Sequence, residues 1–323
     1  MKNRLSTFGR PFILDFLEVT QSAAIAAFPW VGKLNKIEAD RAATEAMRHQ
    51  LNLINIDGKV IIGEGEMDDA PMLNIGEKVG TGIGPKIDVA VDPIEGTNLI
   101  ASGQNNALTV IAVSEAATLL HAPDIYMKKI AVGPEAKGCI DLDAPLLDNL
   151  VSVAKATEKN MDQLTVMIQD RPRHHHLIKE TIEAGANVRL FSDVDIIGAI
   201  LTSISESDVD MLIGTGGAPE GVIAAVAQKC LGGDFQGKLI PSNNTEINRC
   251  LNMGIDTPEK TLTLNELVRS NNCLFAATGI TNGALLKGVK RGMGDTLHTH
   301  SFVTYGIKSN ANYEVIESAH LDS

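Results

Sequence analysis

Aromatic side chains are scarce in this sequence: one Trp, three Tyr and eight Phe make up 4% of 323 residues. The core must therefore be built from Val, Ile, Leu, Ala and Met, and with 29 glycines beside them this is the make-up of layered α/β proteins rather than β-sandwiches. Cysteine is scarce too. Four residues (Cys139, Cys230, Cys250, Cys273), widely spaced and without a CxxC pair, exclude a disulfide framework and point to reduced thiols of a cytoplasmic protein. Positive charge is in the minority, with 28 Lys and Arg against 40 Asp and Glu for a formal net charge of -12. Polyanion binding is driven by Lys and Arg neutralising phosphates, so nucleic acid is excluded as a partner. No run of about 18 uncharged apolar residues is present, so no membrane span is expected. The acids in "MKNRLSTFGRPFILDFLEVTQ" argue against a signal peptide. A substrate carrying phosphate would need something local to invert the negative field, and a divalent metal does so with the least machinery.

What is present reads as alternating elements. Residues 11–29 set Phe12, Phe16, Val19 and Ala23 at spacings of four and three, a helical stripe ending before Pro29. "EADRAATEAMRHQLNLI" predicts a second helix with Ala42, Ala46 and Leu53 near one face. "GKVIIGEG", "IDVAVD" and "ALTVIAVSE" predict strands, the first stopped by Gly63. From about residue 144 the rhythm becomes helix, strand, helix, strand, helix, which suggests a second α/β layer. "VDMLIGTGGAPEGVIAAVAQKCLGG" then predicts strand, Gly-rich turn and Ala-rich helix capped by Gly232 and Gly233. The domain boundary is expected between about 155 and 170, dividing the chain into halves of 1–160 and 161–323.

The stretch "KIDVAVDPIEGTNLIASG", residues 86–103, carries the strongest chemical signal. An apolar strand runs into Asp92 and Glu95, two acids that repel each other across Pro93 and Ile94. Proline cannot donate to a ladder and fixes its own φ, so the strand is expected to end there and the chain to turn. Both carboxylates then sit at the carboxyl end of a strand, where α/β folds place their sites. The turn also frees the Ile94 carbonyl, and three oxygens so close together suit hard cations such as Mg²⁺ or Mn²⁺. Gly96, Thr97 and Asn98 open a helix whose unpaired N–H groups attract phosphate. Taken alone, "DPIEGT" reads equally as an Asp/Pro/Gly turn.

Further acids stand in similar contexts. Glu64 lies past a strand in "IIGEGEMDDAPML", Glu220 between strand and helix in "GTGGAPEGV", and Asp40 at or near a helix start in "NKIEADRAATEAM". Singly they read as a helix cap or as solvated loop acids. Together they are a set suited to two or more metals. Three other features are set aside: "HHHL" falls in an amphipathic helix opening where His176 is expected to pack, "GTGGAPEG" lacks both GxGxxG and Gly-Lys-Ser/Thr, and "HTHSF" alternates like a strand.

The motifs "GEGEMDDAPMLNIGE", "VAVDPIEGTN", "QDRPRHHHLI", "GTGGAPEGVIAAVA" and "INRCLNMGI" together resemble the class II fructose-1,6-bisphosphatases, of the lithium-sensitive, metal-dependent sugar and inositol phosphatase superfamily. The resemblance runs from about Asp15 to "TGITNGALLKGV". It implies a layered αβαβα sandwich of two interlocked α/β halves. It also implies metal ligands at Asp40, Glu64, Asp92, Glu95 and Glu220, with the Ile94 carbonyl contributing and Mn²⁺ or Mg²⁺ as the cofactor. Thr97, with a nearby acid such as Asp40 or Glu64, would orient and deprotonate the attacking water. Substrate contacts would be Glu95, Gly96, Thr97, Tyr126, Arg171, Pro172, Arg173, Asp193, Val194, Asp195 and Gly217, with Lys36 in the segment ahead of Asp40.

The implied reaction is hydrolysis of the 1-phosphate of fructose 1,6-bisphosphate in gluconeogenesis, by a cytoplasmic homo-oligomer, dimer or tetramer. The roles are chemically coherent. Metal and N–H groups stabilise charge on the transferring phosphoryl group, and guanidinium forks suit a second, non-reacting phosphate. Thr97 itself lacks a neighbouring His or Lys base and is no covalent nucleophile. Without the resemblance, Arg171 and Arg173 read equally as a solvated turn and Tyr126 as a half-buried tyrosine. In "VGKLNKIEAD" the sequence departs from the family pattern: Leu34 and Asn35 replace the usual residues and only Lys36 aligns. Sedoheptulose 1,7-bisphosphate is the alternative substrate, and a sugar-phosphate or metal-sensing binder on the same fold is the alternative of another class.

Overall fold

A computed structural model of the chain describes residues 10–65, 72–306 and 313–321. The start of the N-terminal stretch and residues 66–71 of "GEGEMDDAPMLNIGE" lie outside the described residues. The chain divides into two units. One takes in the residues up to Thr118, then Asn272–Gly306 and the chain from Tyr313, and the other runs from Leu119 to Asn271.

In the first unit, α1 (Arg10–Ala27) buries Phe16, Val19 and Ala23 of the predicted stripe completely and Phe12 in part, and it also buries Ala27. The stretch Phe12–Trp30 is long and apolar enough by composition to cross a membrane, with a mean hydropathy of 1.3. In this fold it is a core helix, its apolar face laid on the sheet of this unit. Each such buried large apolar side chain contributes about 1.5–3 kcal/mol. A 3₁₀ turn at Phe28–Trp30, with Pro29 in its first turn, stops the helix. The second helix, α2 (Lys36–Leu51), buries Ala39, Ala43, Met47 and Leu51. That stripe is displaced from the predicted one: Ala42 and Ala46 are only half-buried, and Leu53 is exposed because the helix ends before it, at Leu51.

The sheet of this unit is built from β1 (Asp57–Ile62), β2 (Lys78–Val79), β3 (Lys86–Glu95), β4 (Leu108–Glu115), β11 (Cys273–Gly279), β12 (Lys290–Arg291), β13 (Thr296–Tyr305) and β14 (Tyr313–Leu321). Its spatial order runs β2, β1, β3, β4, β11, β13, β14, with β12 on β13. Only β1 and β3 pair in parallel among these strands. A short helix, α3 (Thr97–Ala101), follows β3.

The second unit has its own sheet, in the order β10 (Leu262–Thr263), β9 (Asp234–Leu239), β5 (Tyr126–Val132), β8 (Met211–Gly217), β6 (Thr165–Gln169), β7 (Asn187–Phe191). One face carries α4 (Leu146–Ala156) and α5 (His175–Glu183), which bury Leu146, Leu150, Val153 and Leu177 against Val166, Ile168, Met211 and Ile213. Packed against the same sheet and each other are α6 (Asp195–Leu201) and α7 (Ala218–Leu231). Gly232 closes α7 in the left-handed conformation, as its position predicts. Two further helices, α8 (Asn244–Asn252) and α9 (Leu264–Leu267), complete the unit.

The α/β class holds, with a mixed sheet and covering helices in each unit. The boundaries, however, fall at Thr118 and Asn271 rather than near residue 160. The helix–strand rhythm that begins at about residue 144 marks the part of the second unit with the parallel strands β6 and β7, not its beginning. Its first strand, β5, pairs with β8 and β9 some 80 to 110 positions later, and local periodicity carries no trace of a pairing at that range.

Candidate active site

Strand β3 carries the first group of candidates. It does not stop at Pro93, as the turn chemistry predicts. Asp92 faces Val110 on β4 while Glu95 faces Leu108, so three steps on β3 oppose two on β4. The surplus residue is a β-bulge, where a proline without an N–H is tolerated and side chains are re-aimed. The bulge brings one carboxylate oxygen of Asp92 and one of Glu95 within 4.8 Å of each other. Asp92 Oδ1 accepts the Ile94 N–H at 3.0 Å, and Glu95 is buried.

Gly96 then takes φ +92°, ψ +46° ahead of α3. In that left-handed conformation glycine is the residue without a steric penalty. The turn points the Thr97 hydroxyl back at the Ile94 carbonyl, to which it donates at 3.2 Å. The Ile94 carbonyl, which stands in the bulge, accepts that one hydroxyl and keeps a second lone pair.

Asp40 and Glu64 join Asp92. Asn35, not Asp40, caps α2 by accepting the Glu38 N–H at 3.2 Å, and Asp40 sits in the second turn, half-buried. Glu64 follows β1, its amide donating to the Leu73 carbonyl at 3.1 Å. Burial, first, and then the negative charges of Asp40 and Asp92 push the Glu64 carboxyl up to about 9, helped by a hydrogen bond with Asp40. Burial raises Asp40 as well. Among the described residues, the charges that act on Glu64 are negative.

Such a set either holds a proton or takes a cation. All donors are oxygen, the set a hard divalent ion prefers. The residues therefore fit a hard divalent cation. Lys36, the first residue of α2, is exposed. The divergent segment before it is held through its backbone, with Gly32 and Leu34 donating to the Ile100 and Ala101 carbonyls at 2.9 Å each. Anchoring of that kind tolerates the side-chain changes at Leu34 and Asn35.

The remaining candidates belong to the second unit. Glu220 lies in the first turn of α7, three residues after Gly217, where an added Cβ would come within 1.9 Å of the Glu220 Oε2. Tyr126 opens β5 opposite Gly217 and is 54% exposed. The Arg173 guanidinium lies 5.1 Å from the Tyr126 ring centre. Its Nε donates to the Thr215 carbonyl at 3.0 Å and its Nη2 to Gln169 Oε1 at 2.8 Å. Arg171 reaches only the neighbouring Asp170 carbonyl, at 3.4 Å, and Pro172 starts a 3₁₀ turn.

Val194, between Asp193 and Asp195, takes φ +74° ahead of α6. For a β-branched residue this is an outlier costing about 1–3 kcal/mol. Asp193 Oδ1 accepts the Val194 N–H at 3.3 Å.

Two functional neighbours escape a reading of the sequence. His174, not His176, is the packed histidine of "HHHL": it is 1% exposed while His176 is exposed. Its Nδ1 lies 2.8 Å from the Gln169 carbonyl, and Nε2 accepts the Thr215 N–H at 2.8 Å, so Nδ1 carries the proton. Burial holds its pKa below the ordinary histidine value. Lys129, 2% exposed in β5, meets Asp195 at 2.5 Å. The only hint of it is a lysine among the apolar residues of "YMKKIAV". "HTHSF" is structural, lying in β13 with His300 Nδ1 accepting the Lys287 N–H at 3.2 Å.

The sequence matches the family described as bacterial fructose-1,6-bisphosphatase, glpX-encoded, over residues 10–320. The chain belongs to that family. A fructose-1,6-bisphosphatase class 2 of Haemophilus influenzae is 47% identical over 295 residues, 87% of this chain and 88% of the relative. Fructose-1,6-bisphosphatase 1 class 2 of Escherichia coli is 48% identical over the same shares. A D-fructose 1,6-bisphosphatase class 2/sedoheptulose 1,7-bisphosphatase of a Synechocystis species is 43% identical across 95% of both chains.

Proposed function

We propose that this enzyme hydrolyses the 1-phosphate of fructose 1,6-bisphosphate to fructose 6-phosphate and phosphate, with Mn²⁺ or Mg²⁺ as its cofactor. The observation that carries the reading is the like-charged set Asp40, Glu64 and Asp92 beside a Thr97 hydroxyl fixed on the Ile94 carbonyl. Asp40, Glu64, Asp92, Glu95, the Ile94 carbonyl and Glu220 hold the metal, Glu220 being assigned on family resemblance. When bound, the cation supplies Lewis acidity and makes water nucleophilic at neutral pH. Thr97, its proton committed to Ile94, offers lone pairs that orient the attacking water, and Asp40 and Glu64 take up its proton. Water oxygen attacks phosphorus, the bond to the sugar oxygen breaks, and that oxygen leaves with a proton. The N–H groups at Gly96 receive charge on the phosphoryl oxygens.

Tyr126, Arg171, Pro172, Arg173, Asp193, Val194, Asp195, Gly217 and Lys36 bind the sugar and its second phosphate, the guanidinium forks matching phosphate geometry. A cytoplasmic setting is supported by four free cysteines, three of them buried. Gluconeogenesis is the matching role and a homo-oligomer the matching assembly.

Phosphate release from fructose 1,6-bisphosphate with Mn²⁺ or Mg²⁺, against an EDTA control, tests the reading. Activity that survives EDTA or Glu220→Ala sinks it, as does full activity in millimolar lithium for the superfamily mechanism. Thr97→Ala is expected to abolish turnover while substrate still binds. The double name of the Synechocystis relative makes sedoheptulose 1,7-bisphosphate the second substrate to try, and relative kcat/KM orders the two.

A further inference from the structure

Lys129 takes no part in the proposed reaction, yet it is among the most buried charged residues described in the chain. Its side chain is 3% exposed and that of its partner Asp195 15%, with Nζ and Oδ2 2.5 Å apart. A buried ion pair is seldom worth more to stability than an apolar pair of the same shape, so its usefulness lies in the geometry it imposes. Space has been cleared for it. A Cβ on Gly216 of β8 would lie 2.3 Å from Asp195 Oδ2 and 3.2 Å from Lys129 Nζ. A Cβ on Gly221 of α7 would lie 3.3 Å from Lys129 Cε. Two glycines on two elements thus flank the pair.

What the pair holds is a turn that does not hold itself. Asp195 is the first residue of α6, and Val194 before it is buried in the left-handed conformation at φ +74°. Among the described residues, the Asp193 carboxylate reaches the adjacent Val194 amide. Without a tether on Asp195, Val194 can relax toward ordinary backbone angles, and both carboxylates would swing with it. Gly217, the residue after Gly216, sits at the end of the same strand.

We infer that Lys129 is a positioning residue: by fixing Asp195 it locks the strained Asp193–Val194–Asp195 turn and thereby sets substrate affinity. The inference rests on the proposed substrate role of that turn. Interactions equal in ground state and transition state act on KM and not on kcat. Lys129→Met is therefore expected to raise KM for fructose 1,6-bisphosphate about tenfold, with kcat within about twofold and Mn²⁺ affinity retained. Lys129→Arg, which keeps a cation beside Asp195, is expected to recover most of the loss.

A fall in kcat at unchanged KM overturns the inference, as does an unchanged KM in a folded Lys129→Met protein. Should Lys129→Met not fold, Asp195→Asn leaves the shape intact while removing the charge that Lys129 grips, and faster exchange of the Val194 and α6 amides without substrate is expected; unchanged exchange overturns the tether. Hydrogen exchange of the Val194 and α6 amides, without substrate, separates this inference from the functional reading. Faster exchange in Lys129→Met supports the tether even if the wild type proves inactive on the bisphosphate, and unchanged exchange overturns it.

Discussion

The candidate site residues of the two units handle charge in opposite ways. In the first, Asp40, Glu64 and Asp92 gather like charges, and without a metal burial and that repulsion push the Glu64 carboxyl up to about 9. In the second, Lys129 grips Asp195, Arg173 spans Gln169 and Thr215, and His174 bridges the ends of β6 and β8. A site that repels itself has its charge balance completed from solution, by protons or a cation. A site whose polar groups are already paired is preorganised, and it spends little on ordering when a ligand arrives.

The largest expected effect breaks the first arrangement. Asp92→Asn removes one negative charge from the self-repelling set and is expected to lower kcat/KM at least about 100-fold, with a parallel loss of Mn²⁺ affinity. Titration of activity against Mn²⁺ checks it. Partial recovery at high metal supports ligation, while a loss that metal does not touch assigns Asp92 a purely structural role.

The next effect separates the units by pH. Glu64 has a folded pKa of about 9 against an ordinary 4.5, so the folded metal-free protein binds more protons than the unfolded chain. The stability this contributes is complete below about pH 4.5 and is lost as pH rises through about 9. His174 has the opposite sign: its pKa is lowered from 6.5 by burial, so its contribution is present above pH 6.5 and lost as pH falls below it. In EDTA, thermal melts are expected to show Tm declining on both limbs. Glu64→Gln should flatten the alkaline limb and leave the acid limb, and Mn²⁺ should flatten the alkaline limb of the wild type. An alkaline limb that persists in Glu64→Gln would mean that a group other than Glu64 releases the proton.

These contrasts explain what could be read from the sequence. The acids of the strand segments are flagged locally by composition and turn residues, Asp92 and Glu95 flanking Pro93 and Glu64 standing between Gly63 and Gly65, whereas Asp40 lies in the second turn of α2 with no such marker beside it. What could not be read depends on partners far along the chain. Pro93 reads as a strand end, and only the pairing of β3 with β4 turns it into a bulge. His174 and His176 are two residues apart on one helix opening, and it takes Gln169 and Thr215 to decide which is buried. Lys129 depends on Gly216 and Gly221, which stand far along the chain on other elements. The unit boundary at Thr118 rests on strands that pair across more than 80 positions.

A smaller effect is expected where the preorganised side is loosened without removing charge. Arg173→Lys keeps the cation but loses the planar fork that joins the Thr215 carbonyl, the Gln169 side chain and the Tyr126 ring. An ammonium on a flexible stem does not reproduce those three contacts. KM is expected to rise about fivefold with kcat little changed, measured on fructose 1,6-bisphosphate at saturating metal. A kcat loss larger than the KM change would place Arg173 with the reacting phosphate instead.

The smallest effects come from a parallel between the units: each starts a short helix from a left-handed residue, Gly96 before α3 and Val194 before α6. The first uses the residue that adopts this conformation freely; the second uses one that does not. Gly96→Ala should therefore cost about 1–2 kcal/mol, the ordinary left-handed penalty of an L residue, and should shift the Thr97 hydroxyl off the Ile94 carbonyl. Val194→Gly relieves about 1–3 kcal/mol of strain. It also gives up about 1.5–3 kcal/mol of valine burial and about 0.5–1 kcal/mol of backbone entropy, for a net loss of about 1 kcal/mol. Denaturant melts measure both. A Val194→Gly protein more stable than the wild type would mean that the strain exceeds what the buried side chain returns, and that the Lys129–Asp195 pair carries more of the turn than burial does.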